Sequence, residues 1–458
     1  MAFKNELASY EPLRKILDSE KLKDFLNRVQ LQSTEPFYET IKTSLVHRND
    51  LPNNITVTPD LILAIDGSQL VCPIEKGFPG SELGSVTIAA VLMDLKLINQ
   101  LEKEDIIDPK EFRKTETPAT QESIFPGCNC TLDNETDSKA SLRKRIFEEF
   151  SKTRPFHDGE TILETYEHLL RIKIKNHPDS RMPESPLDDV DTEMVYGFGE
   201  YRDVSFGDRP LYSTDALRLH ELMNPIGTNG ELYGQIRDTL EKLWLINILR
   251  FIENKGFFST LRRIAFIMDG PLAVFSTASW LAKVIEAELW RINDEQKVIN
   301  GQNMIIIGIE KSGVFFNHFE EIDTSKEGIP DVFEKQTALL LDDTYIKKNI
   351  IFSKSTKPYG QDTYFGRKMF YKAAAGQRVI PVIAWFNNHQ KNIITAELEQ
   401  FNRLRDVMEL LDKIVSNRYK DSLSPLIAAH AEAAIPLKMG TRLFENIARE
   451  IREKAENG

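Results

Sequence analysis

The chain has 458 residues, too many for one minimal domain, and with 41% hydrophobic residues it can bury a sizeable core. Its formal net charge of −12 argues against a surface that adheres to nucleic acid throughout, because phosphate neutralisation needs lysine and arginine. Three cysteines are few for a disulfide framework, and the longest apolar runs, MIIIGI and VIPVIAWF, fall well short of the ~18 residues a spanning helix needs. The start, MAFKNELASYEPL, lacks a basic-then-apolar leader, so the expectation is a cytoplasmic protein with no membrane association.

Residues 1–55 read as a helical arm, because EPLRKILDSEKLKDFLNRV sets apolar residues at helical spacing among charges. The period then changes. LILAIDGS is an apolar run ending in Asp66-Gly67, and SVTIAAVLMDLKL after the turn-rich GFPGSELG is a second strand, so Asp66 is expected to open a hairpin-like pair. Residues 103–220, rich in proline and carrying the acids Glu184, Asp188, Asp189, Asp191 and Glu193, read as a large irregular insertion holding one or two helices such as ETYEHLLRIKIK. Within it, Cys128-Asn129-Cys130 has no second Cys or His pair at zinc spacing and reads as a loop.

Order returns at Glu231. QIRDTLEKLWLINILRFIEN is a long helix, apolar on more than one side and therefore buried on two faces. RIAFIMD is then a strand, TASWLAKVIEAELWRIN a helix and NMIIIGIEKSG another strand, which together make an α/β fold with a mixed sheet flanked by helices.

An aspartate before glycine at a strand end either forms a turn or serves chemistry. Here two apolar strands, LILAIDGS and IAFIMDGP, end that way, at Asp66 and Asp269. Sites assemble at strand ends of α/β sheets, and two converging carboxylates repel unless a cation lies between them. Oxygen ligands without a Cys or His pair favour Mg²⁺ or Mn²⁺. Glu241 is the third acid, in line with Gly234, Leu245, Ile248 and Ile252 on an apolar helix face; it either pairs with Arg237 or serves a metal, and Glu253 is the alternative acid. His430, in SPLIAAHAEAAIP, falls on the apolar side of a short helix, where a core histidine and a ligand or proton carrier both fit. Between Ile346 and Lys391, nine lysines and arginines stand against one acid, Asp362, with aromatics interleaved, which suits either a single-strand groove or ordinary strand core with a solvated face. There is no phosphate-binding P-loop and no serine nucleophile elbow.

The order of these features resembles the NurA nucleases: LILAIDGS followed by SVTIAAV, then DALRLHE, TLEKLWLINILR, IAFIMDGPLAVF, IIIGIEKSG and LIAAHAEAAI. The resemblance implies an RNase H-like core at 56–440, with the C-terminal helix 441–458 outside it. It implies a Mn²⁺- or Mg²⁺-dependent deoxyribonuclease, a 5′–3′ exonuclease and/or single-strand endonuclease with a two-metal mechanism. Asp66, Glu241, Asp269 and His430 would be catalytic and metal-binding, and Lys311, Arg367, Lys368, Tyr364, Tyr371 and Arg378 would contact DNA, Tyr364 and Tyr371 both fitting the family's late tyrosine. Asp342 and Asp343 resemble a further late aspartate position. The implied partners are DNA, a HerA-type hexameric ATPase and a second copy of the chain, in DNA-end processing or antiviral defence. Two other readings remain open: a catalytically inactive adaptor or clamp on a translocase, and an RNA-directed enzyme of the same fold.

Overall fold

The computed structural model describes residues 16–29, 38–53, 57–74, 80–96, 116–176, 198–202, 210–275, 277–324, 332–416, 422–434, 446–447 and 449–453. The strands are β1 (Val46–His47), β2 (Leu61–Ile74), β3 (Ser81–Asp94), β4 (Glu116–Pro126), β5 (Glu200–Arg202), β6 (Pro210–Tyr212), β7 (Ile264–Asp269), β8 (Ile305–Glu310), β9 (Thr337–Leu340), β10 (Gly366–Lys372) and β11 (Arg378–Ala384). The helices are α1 (Glu20–Arg28), α2 (Tyr38–Ser44), α3 (Ser138–Lys152), α4 (Ile162–Asn176), α5 (Gly230–Asn254), α6 (Leu281–Asn300), α7 (Val314–Ile322), α8 (Asp343–Asn349), α9 (Asn388–Lys391), α10 (Leu404–Ile414) and α11 (Ser424–Ala433).

Nine strands form one sheet in the order β1-β9-β10-β11-β8-β7-β2-β3-β4, and β5 with β6 makes a separate ribbon. β2, β3 and β4 are an antiparallel meander; β7 lies parallel to β2, and β8 parallel to β7. The remaining strands extend the sheet antiparallel from β8. This agrees with the mixed sheet flanked by helices that was expected.

Alternation along the strands divides the core into two layers. Phe266 and Met268 of β7 face the cluster built by α3, α4, α5 and α6, while Ala265 and Ile267 face the cluster holding α10 and α11. α5 carries buried residues around most of its circumference, as its unstriped apolar pattern requires.

Three expectations change. The expected antiparallel pair forms, but its turn does not begin at Asp66: β2 continues through it to Ile74, in unbroken register with β3. All fourteen of its residues pair, from Leu61 with Asp94 to Ile74 with Ser81. The segment 103–220 is also less irregular than its prolines suggest. It supplies β4, the third strand of the meander, with α3 and α4, whose Leu142, Ile146, Phe150, Tyr166, Leu169 and Leu170 enter the main core. The acidic run 184–193 lies outside the described residues. The N-terminal arm divides: α1 buries none of its residues, whereas Ile41 and Leu51 are buried and β1 pairs with β9.

Candidate active site

β2 and β7 run side by side up to the pair Ile65–Met268, and one step further stand Asp66 and Asp269. By strand alternation both side chains belong to the face covered by α10 and α11, together with Ile62, Ala64, Ala265 and Ile267. Asp66 is 2% exposed; its Oδ1 accepts from the Gly67 amide at 2.7 Å, and its Oδ2 lies 3.0 Å from His430 Nδ1 on α11. The helix is fastened beside this strand by Ser68 Oγ, which donates to the Ala433 carbonyl at 2.6 Å. His430 is therefore no core histidine: its side chain is 62% exposed, with one ring nitrogen on Asp66.

Glu241 comes from the other layer. It is 3% exposed on α5, and a Cβ added at Gly67 would stand 2.7 Å from its Oε1 and 2.7 Å from Arg237 Cγ. Gly67 is thus a gap in the sheet surface through which the α5 acid approaches β2. Asp66, Glu241 and Asp269 line one cleft of about 560 Å³ with Asp238, Glu310, Lys311, Tyr359, Tyr364 and Lys368.

Cations stand against several of the acids in this cleft. Lys311 Nζ lies 2.9 Å from Asp269 Oδ1, and Glu241 sits between Arg237 Nε and Lys242 Nζ, each at 3.4 Å. Compensation remains incomplete for two acids. Burial pushes Asp66 up to about 6, the Asp269 charge adding to the effect while Lys311 and His430 oppose it. Burial also raises Glu241 to about 7 despite Lys242 and Arg237. Three carboxylates and an imidazole suit a hard divalent cation in donor chemistry. As placed, however, no three His, Cys, Asp or Glu side chains among the described residues close up into a metal-holding group. The acids approach from opposite faces of the sheet, and the lysines and arginine already stand against them.

The far wall is aromatic. Lys368 Nζ lies 2.5 Å from Glu310 Oε1 and 3.5 Å from the centre of the Phe315 ring, and burial lowers it to about 8 against the pull of Glu310. Tyr359 and Tyr364 share a 3.0 Å hydroxyl contact, and Tyr364 Oη reaches Glu310 at 3.5 Å. Burial and the Glu310 charge push the Tyr364 phenol far up, so it stays protonated. Asp343 holds this wall by accepting from the Tyr359 amide, while Asp342 caps α8. Glu310 and Tyr359 were missed from sequence. Glu310 had a signal, since it ends β8 as Asp269 ends β7; Tyr359, in the loop KPYGQD, had none.

The structure thus brings together Asp66, Glu241, Asp269, His430, Lys311, Lys368 and Tyr364, and leaves three expected DNA contacts elsewhere. Arg367 is buried, with its guanidinium on the carbonyls of Gln390, Asn392 and Thr395 and over the Phe401 ring. Tyr371 is buried and donates to Asp412. Arg378 pairs with the buried Asp323, as does Lys372. The β10 part of the basic stretch is therefore interior: its cations answer internal acids and carbonyls. Glu253, the alternative acid, is bound by Arg291.

A NurA domain matches residues 60–435. No match is found among curated protein sequences. Among solved structures, the NurA nuclease from Sulfolobus solfataricus is similar at 10% identity and TM-score 0.32, over 97% of each chain. A NurA crystal structure with manganese is similar at 12% identity and TM-score 0.25, covering 96% of this chain and 98% of that one. These structural likenesses are low, and the domain match carries the family assignment.

Proposed function

Because this chain belongs to the NurA family, we propose that it is a deoxyribonuclease dependent on Mn²⁺ or Mg²⁺, hydrolysing phosphodiester bonds at DNA ends. The observation that carries this reading is Asp66, a carboxylate buried in mid-strand beside Asp269, facing the same cleft as Glu241 and held up to about 6 by burial and that neighbouring charge. An acid placed at this energetic disadvantage is characteristic of functional sites. Asp66, Asp269 and Glu241 would hold the metal, which when bound supplies Lewis acidity at the phosphoryl group. His430 orients Asp66 and presents its exposed ring for proton transfer at Nε2. Lys311, which pairs with Asp269 in the absence of metal, would meet a phosphate oxygen once a cation takes up that carboxylate.

Substitution of Asp66 by Asn should abolish Mn²⁺-dependent degradation of a labelled DNA strand while circular dichroism stays unchanged; retained cleavage would sink the site assignment. The second reading, a catalytically inactive clamp, is favoured by the cations standing against Asp269 and Glu241. Absence of cleavage with either metal, with and without a HerA-type hexamer, would establish it. Docking on that hexamer as a homodimer is the assembly we propose, through the segment 16–29 containing α1, which exposes Ile16, Leu17, Phe25 and Leu26. Deleting residues 1–29 tests it by loss of co-elution and spares Ile41 and β1.

A further inference from the structure

The run PLAVF after Asp269 buries three residues and exposes the fourth. Leu272, Ala273 and Val274 are at most 1% exposed, and Phe275 is 55% exposed. This is no loose loop. Val274 donates its amide to the Thr363 carbonyl, Phe365 donates its amide to Leu272, and Ala273 bridges to Tyr364. The Phe275 ring stands edge to face with Tyr364, centroids 5.5 Å apart, and Tyr364 lines the cleft. A large apolar side chain on a fastened backbone, packed on a cleft-lining tyrosine and with more than half its surface exposed, is available to a ligand.

The charge pattern says what kind of contact such a ligand needs. Each cation lining the cleft faces an acid: Arg237 faces Glu241, Lys311 faces Asp269 and Lys368 faces Glu310. The cleft holds five acids against these three, so phosphate attraction is weak and affinity must come largely from elsewhere. The geometry points to Phe275 as a base-stacking residue that holds an unpaired nucleobase at the cleft mouth, with Tyr364 behind it, and so selects single-stranded DNA. Stacking serves any base, because every base has a π face. This inference rests on the nuclease reading and adds its strand specificity.

The test uses the full chain with a 5′-labelled single-stranded oligonucleotide, a blunt duplex of the same sequence and an aryl phosphodiester that has no base. Phe275→Ala should raise KM for the single strand roughly 5- to 50-fold, leaving kcat and aryl ester hydrolysis unchanged. Phe275→Trp should restore KM, whereas Phe275→Leu, apolar but without a ring, should not. The tryptophan variant should also show quenched indole emission on binding an oligothymidine in Ca²⁺ buffer, with a shallow salt dependence. Unchanged KM in Phe275→Ala while the wild type cleaves would overturn the inference, as would the absence of quenching. If the wild type cleaves nothing, the nuclease reading fails instead, and the quenching experiment still decides the stacking.

Discussion

The dipeptide Asp-Gly occurs at two neighbouring strands of one sheet, and the two occurrences have different physical causes. At β2 the glycine is extended and paired within a long strand, and its bare Cα is needed because Glu241 and Arg237 fill the space a side chain would take. At β7 the glycine follows the strand at φ +78°, with open space around it, and is needed for the turn. The aspartates differ in the same sense. Asp66 is sealed in, whereas the Asp269 side chain is 30% exposed and salt-bridged. One motif therefore serves as a packing window in one strand and a backbone switch in the other, and the acid of the first strand is under electrostatic stress.

The largest expected effect treats the two alike. Asp66→Asn and Asp269→Asn should each lower nuclease activity by at least ~100-fold, since a lost metal carboxylate removes several kcal/mol of charge stabilisation; steady-state cleavage assays check both. Stability should then separate them. Asp66 has a folded-state pKa raised above its ordinary value, so the folded protein binds the proton more tightly, and stability rises as pH falls through about 6 toward the ordinary carboxylate range. Metal-free wild type should melt at a higher temperature at pH 5.5 than at pH 8, this group contributing roughly 1 kcal/mol over that interval and its full ~3 kcal/mol only below the ordinary carboxylate range. Asp66→Asn should melt higher than wild type at pH 8 and lose the part of that pH dependence centred near pH 6, Glu241, raised to about 7, retaining the rest. A flat melting profile for the metal-free wild type would contradict the stressed-acid account. Asp269→Asn, breaking a partly exposed pair, should cost no more than ~1 kcal/mol.

The glycines sharpen the contrast further. Gly67→Ala should cost roughly 1–3 kcal/mol by overpacking and displace Glu241 enough to remove activity. Gly270→Ala should cost about 1 kcal/mol through its left-handed backbone alone, with folding midpoints in urea as the measurement. Equal penalties would erase the distinction. The smallest effect on substrate belongs to the interior cations: Arg367→Ala and Arg378→Ala should lower stability and leave DNA affinity, read by fluorescence anisotropy, within about twofold of wild type.

Much of this protein was legible from local pattern. The apolar strands LILAI, IAFIM and MIIIGI, the two-faced helix containing Glu241 and the alternation of helices with strands define a mixed α/β sheet, because periodicity follows directly from which faces are buried. The acids at Asp66, Asp269 and Glu241 stood out as charges inside apolar runs, a cost that sequence displays openly. What sequence concealed was pairing at a distance. The basic stretch around β10 looked like a groove because its counterions, Asp323 and Glu310, lie far off in the chain, and charge balance is a property of space and not of neighbours in sequence. Prolines in 103–220 hid a meander strand, since β4 is at the sheet edge, where a missing amide is tolerated. The tertiary structure alone decided that His430 meets Asp66, that Gly67 is a window for an acid from the opposite layer, and that Phe275 stands bare beside the cleft. Each depends on two helical layers closing over one sheet, which no single segment can specify.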